Sequence, residues 1–153
     1  MWELVVITVG KFSDQGFRQS AERYISMVGG EWKVRLEPVA ASRRREPGAC
    51  RREEGQALLK RVPRDSEVVA LDPSGDLLDS EAFGDLLRRL KDAGRKPAFL
   101  VGGPHGLDRP VLQGARHRLS LSRLTLPHEL AAVVLLEQIY RASASYAGKA
   151  YAK

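Results

Sequence analysis

Short apolar runs alternate with stretches of helical periodicity along nearly the whole chain, and that alternation limits the folds open to it. Residues 3–9 (ELVVITV) are β-branched and end at Gly10, as a strand covered on both faces would. Phe17, Ala21, Tyr24, Ile25 and Val28 then follow helical spacing behind Ser13, a capping residue type, and stop at Gly29-Gly30. Residues 33–39 alternate polar and apolar, the pattern of a half-exposed strand close to a sheet edge. A helix is expected over about 49–61, then a third strand over 67–71 (EVVAL), closed by the turn Asp72-Pro73-Ser74-Gly75. Ser80 is placed to cap a helix that carries Phe83, Leu86, Leu87 and Leu90 on one face and ends at Gly94. Residues 97–101 (PAFLV) form a fourth strand, running straight into Gly102-Gly103-Pro104-His105-Gly106. Asp108 and Pro110 open a short helix to about His117, residues 119–126 are a short strand and loop, and 128–146 the last long helix. The reading is one α/β domain of 153 residues, a mainly parallel sheet flanked by helices. Ligands in such sheets bind outside the carboxyl ends of the strands, which marks Leu71, Gly102 and the 121–126 segment.

The last helix carries seven consecutive apolar residues, 130–136, which cover its whole circumference instead of one stripe. The economical explanation is a helix that meets both its own sheet and a second copy of the chain, in a two-fold homodimer. The alternative, a helix sandwiched inside one subunit, needs cover that the rest of the sequence does not visibly supply.

Charge narrows the partners. The net formal charge is +6, and residues 43–64 hold eight basic side chains (among them Arg43, Arg44, Arg45, Arg51 and Arg52) against three acidic ones. A local field of that kind attracts polyanions and gains from counterion release, although a solvated arginine-rich helix would show the same composition. Aromatic residues are sparse in this stretch, so any nucleic acid would be held by its backbone and shape, not by base stacking.

Several chemistries find little support. A run of seven apolar residues is far short of the roughly 20 a membrane span requires, and an acidic Glu3 leading into a strand does not read as a signal peptide; a cytoplasmic protein is expected. A lone Cys50 makes neither a disulfide framework nor a cysteine zinc site, and His105, His117 and His128 lack metal-ligand spacing, so no metal is expected. The glycine turn after the fourth strand lacks the ending of a phosphate-binding loop, and Pro104 removes an N–H such a loop would use. It suits close approach of backbone to a ligand, or serves simply as a strand-to-helix turn. Glu137 and Arg141, four apart on the last helix, are placed for an ion pair at a dimer seam or in a substrate cavity; spacing does not decide between them.

The string PAFLVGGPHGLD at 97–108, followed by LSLSRLTLPHELAAVVLLEQIYRA at 119–142, resembles the ribosomal RNA large subunit methyltransferase H family. Those enzymes methylate N3 of a pseudouridine in 23S rRNA and belong to the α/β-knotted SPOUT class. The similarity also takes in Val9-Gly10-Lys11, the basic segment and Val68-Val69-Ala70-Leu71-Asp72. The resemblance implies a C-terminal trefoil knot, which general topology rules would not propose, and a homodimer acting on ribosomal RNA or the ribosome. It implies S-adenosylmethionine as cofactor, with contacts falling on Leu71, Gly102, Leu121, Ser122, Arg123, Leu124, Thr125 and Leu126. A sulfonium methyl is already activated, so the protein's task is alignment and removal of a proton from the base nitrogen. His128 and Glu137 are candidates for that work, together with the C-terminal tail. The family tail ends in a Pro-Tyr-His-Arg-like motif, whereas this chain reads Lys149-Ala150-Tyr151-Ala152-Lys153. Tyr151 is kept, Ala152 stands at the histidine position, and Lys153 keeps the arginine's charge without its bidentate geometry. Two other readings share these features: a non-catalytic RNA-binding protein on the same scaffold, and a knotted enzyme acting on tRNA.

Overall fold

The computed structural model describes residues 1–151, in ten elements that alternate strictly between strand and helix. They are β1 (Trp2–Val9), α1 (Gln15–Met27), β2 (Trp32–Val39), α2 (Pro47–Arg61), β3 (Ser66–Leu77), α3 (Ser80–Asp92), β4 (Lys96–Val101), α4 (Arg109–Gly114), β5 (His117–Ser120) and α5 (His128–Tyr146). The strands form one sheet in the order β2-β1-β4-β3-β5, and every pairing is parallel. The α/β expectation therefore holds, with a sheet more uniformly parallel than the sequence required.

Strand alternation decides which helix goes where. Along β1, Leu4 and Val6 face one side of the sheet while Val5, Ile7 and Val9 face the other. The first side packs against Ala21 of α1, Phe83 and Leu87 of α3, and Leu135, Leu136 and Ile139 of α5. The second side packs against Leu58 of α2 and Val111 of α4. Both faces of β1 and β4 are thus covered, which is why ELVVITV and PAFLV read as unbroken apolar runs. On β2, paired only with β1, exposed Lys33 alternates with buried Trp32 and Val34, and Pro38 is tolerated because an edge strand needs fewer N–H donors.

Local chemistry corrects several expected boundaries. Asp14, not Ser13, caps α1, its Oδ1 accepting from the Phe17 amide at 2.9 Å. Asp79, not Ser80, caps α3 by accepting from the Ala82 amide at 2.8 Å. Glu46 accepts from the amides of Gly48 and Ala49, with Pro47 at the first helical position, so α2 starts ahead of the expected Ala49. The short helix ends at Gly114, not near His117, which instead opens β5 opposite Val69.

The largest correction lies in β3. The turn at 72–75 forms, with Asp72 accepting from the Ser74 amide at 3.0 Å, but it does not end the strand. Leu119 of β5 faces both Leu71 and Asp76, so residues 72–75 bulge outward and pairing resumes beyond them. Gly75 permits this: a Cβ there would lie 2.6 Å from the carbonyl carbon of Arg118 and 2.7 Å from the Leu119 backbone.

The surroundings of α5 also differ from expectation. Its neighbours α1 and α3 flank it on either side while the sheet lies beneath. Ala132, Val133, Leu135, Leu136 and Ile139 are buried within the single chain, and Leu130, Ala131 and Val134 are half-buried. Burying Leu135, Leu136 and Ile139 contributes about 1.5–3 kcal/mol apiece. The cover that the apolar run demanded comes from Phe17, Tyr24 and Ile25 of α1 and from the apolar face of α3. The apolar circumference of that run is therefore covered within one chain, apart from half-buried Leu130, Ala131 and Val134.

Candidate functional site

A parallel sheet brings all its carboxyl ends to one edge, and here β4 sits between β1 and β3. At that edge a cleft of about 590 Å³, part of it open to solvent, lies among the ends of β3, β4 and β5 and the start of α5. Of the eight residues expected at the cofactor, Leu71, Gly102, Leu121, Ser122, Leu124, Thr125 and Leu126 line it. Arg123 lies on the same loop but is exposed and outside the lining. The structure adds Asp72, Pro73, Val101, Gly103, Ser120 and Ala131. Asp72 and Pro73 were readable in sequence only as a closing turn; because the strand bulges there, the turn becomes a wall.

Each wall has a local cause. Beyond Val101 the chain folds sharply: the Gly106 amide donates to the Gly103 carbonyl at 2.9 Å, and Gly106 has φ 79°, a region other residues avoid. A Cβ on Gly102 would stand 2.7 Å from the Gly106 carbonyl carbon, so this wall is bare backbone of necessity. Opposite it, the Ser120 hydroxyl donates to the Ser122 carbonyl at 2.9 Å, and the Ser122 hydroxyl accepts from the Leu124 amide at 2.9 Å. These bonds shape the 121–127 loop and leave Leu124 76% exposed at the rim.

The polar chemistry of the lining is sparse and directional. Among the described residues Asp72 is its only carboxylate, held by the Ser74 amide and hydroxyl, and neither lysine nor arginine lines it. Such a site favours a cationic ligand with an apolar body over a phosphate. No group of three or more His, Cys, Asp or Glu poised for a metal ion occurs among the described residues.

The expected catalytic residues fall into two places. His128, the first residue of α5, lines the cleft. Glu137 lies nine residues further along the same helix, about 13–14 Å at 1.5 Å per residue. There Glu137 accepts from Arg141 at 3.0 Å and from Gln138 at 2.6 Å. Tyr151 folds back onto this group, its ring 4.9 Å from Tyr140 and 4.4 Å from the Arg141 guanidinium carbon. Burial and a hydrogen bond with Glu137 push the Tyr151 phenol above its ordinary range. One chain thus brings Glu137 and Tyr151 together but keeps both away from His128. Ala152 and Lys153 lie outside the described residues.

Arg43, Arg44 and Arg45 are exposed on the loop that leaves β2, at the same sheet edge as the cleft. β2 is two strands from β4, about 10 Å across the sheet. Arg44 pairs with Glu53 at 3.3 Å and Arg52 with Glu46 at 3.8 Å, while Arg43, Arg45 and Arg51 make no ion pair among the described residues.

Comparison with known proteins is consistent with this geometry. A family described as "Predicted SPOUT methyltransferase" matches residues 2–152. The ribosomal RNA large subunit methyltransferase H of Solidesulfovibrio magneticus is 40% identical over 99% of both chains. The protein of the same name from Gluconacetobacter diazotrophicus is 42% identical over 95% of this chain and 94% of its own. That from Gemmatimonas aurantiaca is 34% identical over 98% and 99%. Full-length identity at this level, with the quoted motifs at the cleft, makes the chain a member of the ribosomal RNA large subunit methyltransferase H family of SPOUT methyltransferases.

Proposed function

We propose that this protein transfers a methyl group from S-adenosylmethionine to N3 of a pseudouridine in the 23S rRNA of the large ribosomal subunit. The observation that carries the reading is the cleft: its glycine wall, its 121–126 loop and the Asp72 carboxylate converge on one volume. S-adenosylmethionine, when bound, supplies an activated sulfonium methyl group. Leu71, Leu121 and Leu126 offer apolar surface to its body, Gly102 and the loop offer backbone groups, and Asp72 offsets positive charge. That no Lys or Arg among the described residues lines the cleft suits a cation, and exposed Arg123 is placed to meet RNA.

Removing the N3 proton of the base falls to His128, Glu137 and Tyr151, with Lys153 of the tail as a cationic contact. Because one chain separates His128 from Glu137 and Tyr151, the working unit in this reading is a homodimer in which the tail of one copy serves the cleft of the other. Exposed Leu77, Leu78 and Leu124 support an apolar contact of that kind. So does a groove of about 720 Å³ lined by Leu78, Phe83, Leu121 and Val134. The C-terminal trefoil knot of the SPOUT class belongs to the same proposal, with the 121–127 loop and α5 as its strands of chain. Arg43, Arg44, Arg45, Arg51 and Arg52 hold RNA phosphates. Action on ribosomes places the protein in the cytoplasm, and no helix among the described residues is long and apolar enough to cross a membrane.

Isothermal titration with S-adenosylmethionine and S-adenosylhomocysteine, paired with mapping of methylated nucleotides in ribosomes from a deletion strain, tests the reading. Heat of binding and loss of one methyl group on a large-subunit pseudouridine support it. No heat, or a fully modified rRNA in the deletion strain, overturns it; binding with loss of a tRNA methyl group instead reassigns the substrate.

A further inference from the structure

Glu54 lies on α2, outside the cleft, and is only 5% exposed. A carboxylate that far from water is costly unless its oxygens are satisfied. Oε2 accepts from the Ser42 amide at 3.0 Å. Oε1 is buried and has no hydrogen-bond partner among the described residues. What faces it is the glycine turn: a Cβ on Gly103 would stand 3.2 Å from Oε1 and 3.1 Å from Val9 Cγ1. Gly103 also forms part of the cleft wall.

The other end of this contact leads to the basic loop. Ser42, held by Glu54, accepts through its hydroxyl from the Arg44 amide at 3.1 Å. Glu54 itself has little freedom, because the next residue presses α2 onto α4: a Cβ on Gly55 would stand 3.0 Å from Val111 Cγ2. One buried carboxylate therefore lies behind Gly103 of the cleft wall and bonds the root of the loop bearing Arg43, Arg44 and Arg45.

We infer that Glu54 is a positioning residue that keeps the cleft wall and the basic loop in one register, so that donor and RNA favour the same arrangement. Movement of Gly103 against a filled cleft shifts Oε1, and the Ser42 hydrogen bond carries that shift to Arg44. The low-dielectric surroundings make the arrangement discrete, since a half-satisfied buried carboxylate resists intermediate positions. By linkage, a donor that tightens RNA binding is itself bound more tightly in the presence of RNA. The inference rests on the donor site proposed above.

The test measures affinity for ribosomes lacking the modification, with and without saturating S-adenosylhomocysteine, in the full-length wild type, Glu54→Ala, Glu54→Gln and Ser42→Ala proteins. Wild type is expected to bind ribosomes about tenfold more tightly when the cleft is filled. Glu54→Ala reduces that enhancement to less than about twofold. Glu54→Gln, which keeps an acceptor for the Ser42 amide at the same shape, restores most of it. Ser42→Ala, at a half-buried site that does not threaten the core, loses it while leaving S-adenosylhomocysteine affinity unchanged, and so decides the matter if Glu54→Ala fails to fold. A wild type that binds S-adenosylhomocysteine with no effect on ribosome affinity overturns the inference alone, as does full enhancement in Ser42→Ala. A wild type that binds no S-adenosylhomocysteine overturns the donor site and the inference together.

Discussion

Asp72 shows how one side chain changes meaning between sequence and structure. As part of Asp-Pro-Ser-Gly it reads as turn chemistry, and the turn is indeed there, with the Ser74 amide on its carboxylate. Because β3 resumes beyond the turn, the same carboxylate ends in the cleft wall, where no Lys or Arg among the described residues neutralises it. Asp72→Asn removes the charge and keeps the acceptor for Ser74. Titration calorimetry should show S-adenosylmethionine bound about tenfold more weakly, equivalent to about 1.4 kcal/mol, with S-adenosylhomocysteine, which lacks the sulfonium charge, far less affected. Equal weakening of both would mean that Asp72 shapes the wall without sensing charge. Glu54 carries the opposite lesson. Inside an arginine-rich stretch it reads as one more solvated acid, and only its burial behind Gly103 distinguishes it. His128 and Glu137 needed no structure to be seen as distant, since nine residues of helix already part them.

Elements were legible wherever apolar period and punctuation agreed. ELVVITV ending at Gly10, and PAFLV ending at the glycine turn, mark strand ends because buried parallel strands have no polar face to blur the signal. Where two strands share an irregular register, period alone is silent. The bulge in β3 depends on Gly75, whose bare α-carbon meets the backbone of β5. Gly75→Ala should lower stability by about 1–3 kcal/mol, the usual cost of overpacking, measured by chemical denaturation, with donor affinity falling as β3 and β5 part. Unchanged stability would show that the bulge relaxes freely. At the start of α5 Glu129, beside His128, accepts from the Ser13 hydroxyl at 2.7 Å and from the amides of Ser13 and Asp14 at 3.1 Å. Burial raises its pKa, but the Ser13 hydroxyl and the Asp14 and Ser13 amides outweigh it and set the carboxyl below its ordinary 4.5. A lowered folded-state pKa contributes stability above the unfolded value, and that contribution fades as pH falls through the folded one. Glu129→Gln should therefore cost about 1 kcal/mol at neutral pH, as loss of a helix-start acceptor does. The gap to wild type should close on acidification below about pH 4. A pH-independent gap in denaturation would assign the loss to shape instead of charge.

For the whole molecule, the α/β class and the cleft's position followed from alternation and from the parallel-sheet rule. What covers α5 did not, because a helix apolar all round announces burial without naming its neighbours; α1 and α3 fill that role. The parallel sheet also puts the basic loop after β2 and the cleft after β4 on one edge, as the proposed handling of a single substrate requires. Replacing Arg43, Arg44 and Arg45 together with alanine should weaken ribosome binding and flatten its salt dependence. With Arg44 partly engaged by Glu53, the log–log slope should fall by about 2 to 3. Donor affinity measured alone should stay within about twofold. A preserved slope would move the RNA surface elsewhere. The most direct measurement is transfer of tritium-labelled methyl from S-adenosylmethionine to ribosomes taken from a deletion strain, followed by mapping of the labelled nucleotide. Label confined to a pseudouridine of the large-subunit rRNA, and slowed by Asp72→Asn at limiting donor, is the expected result. Donor binding without label in that rRNA, or label in tRNA, would contradict the account.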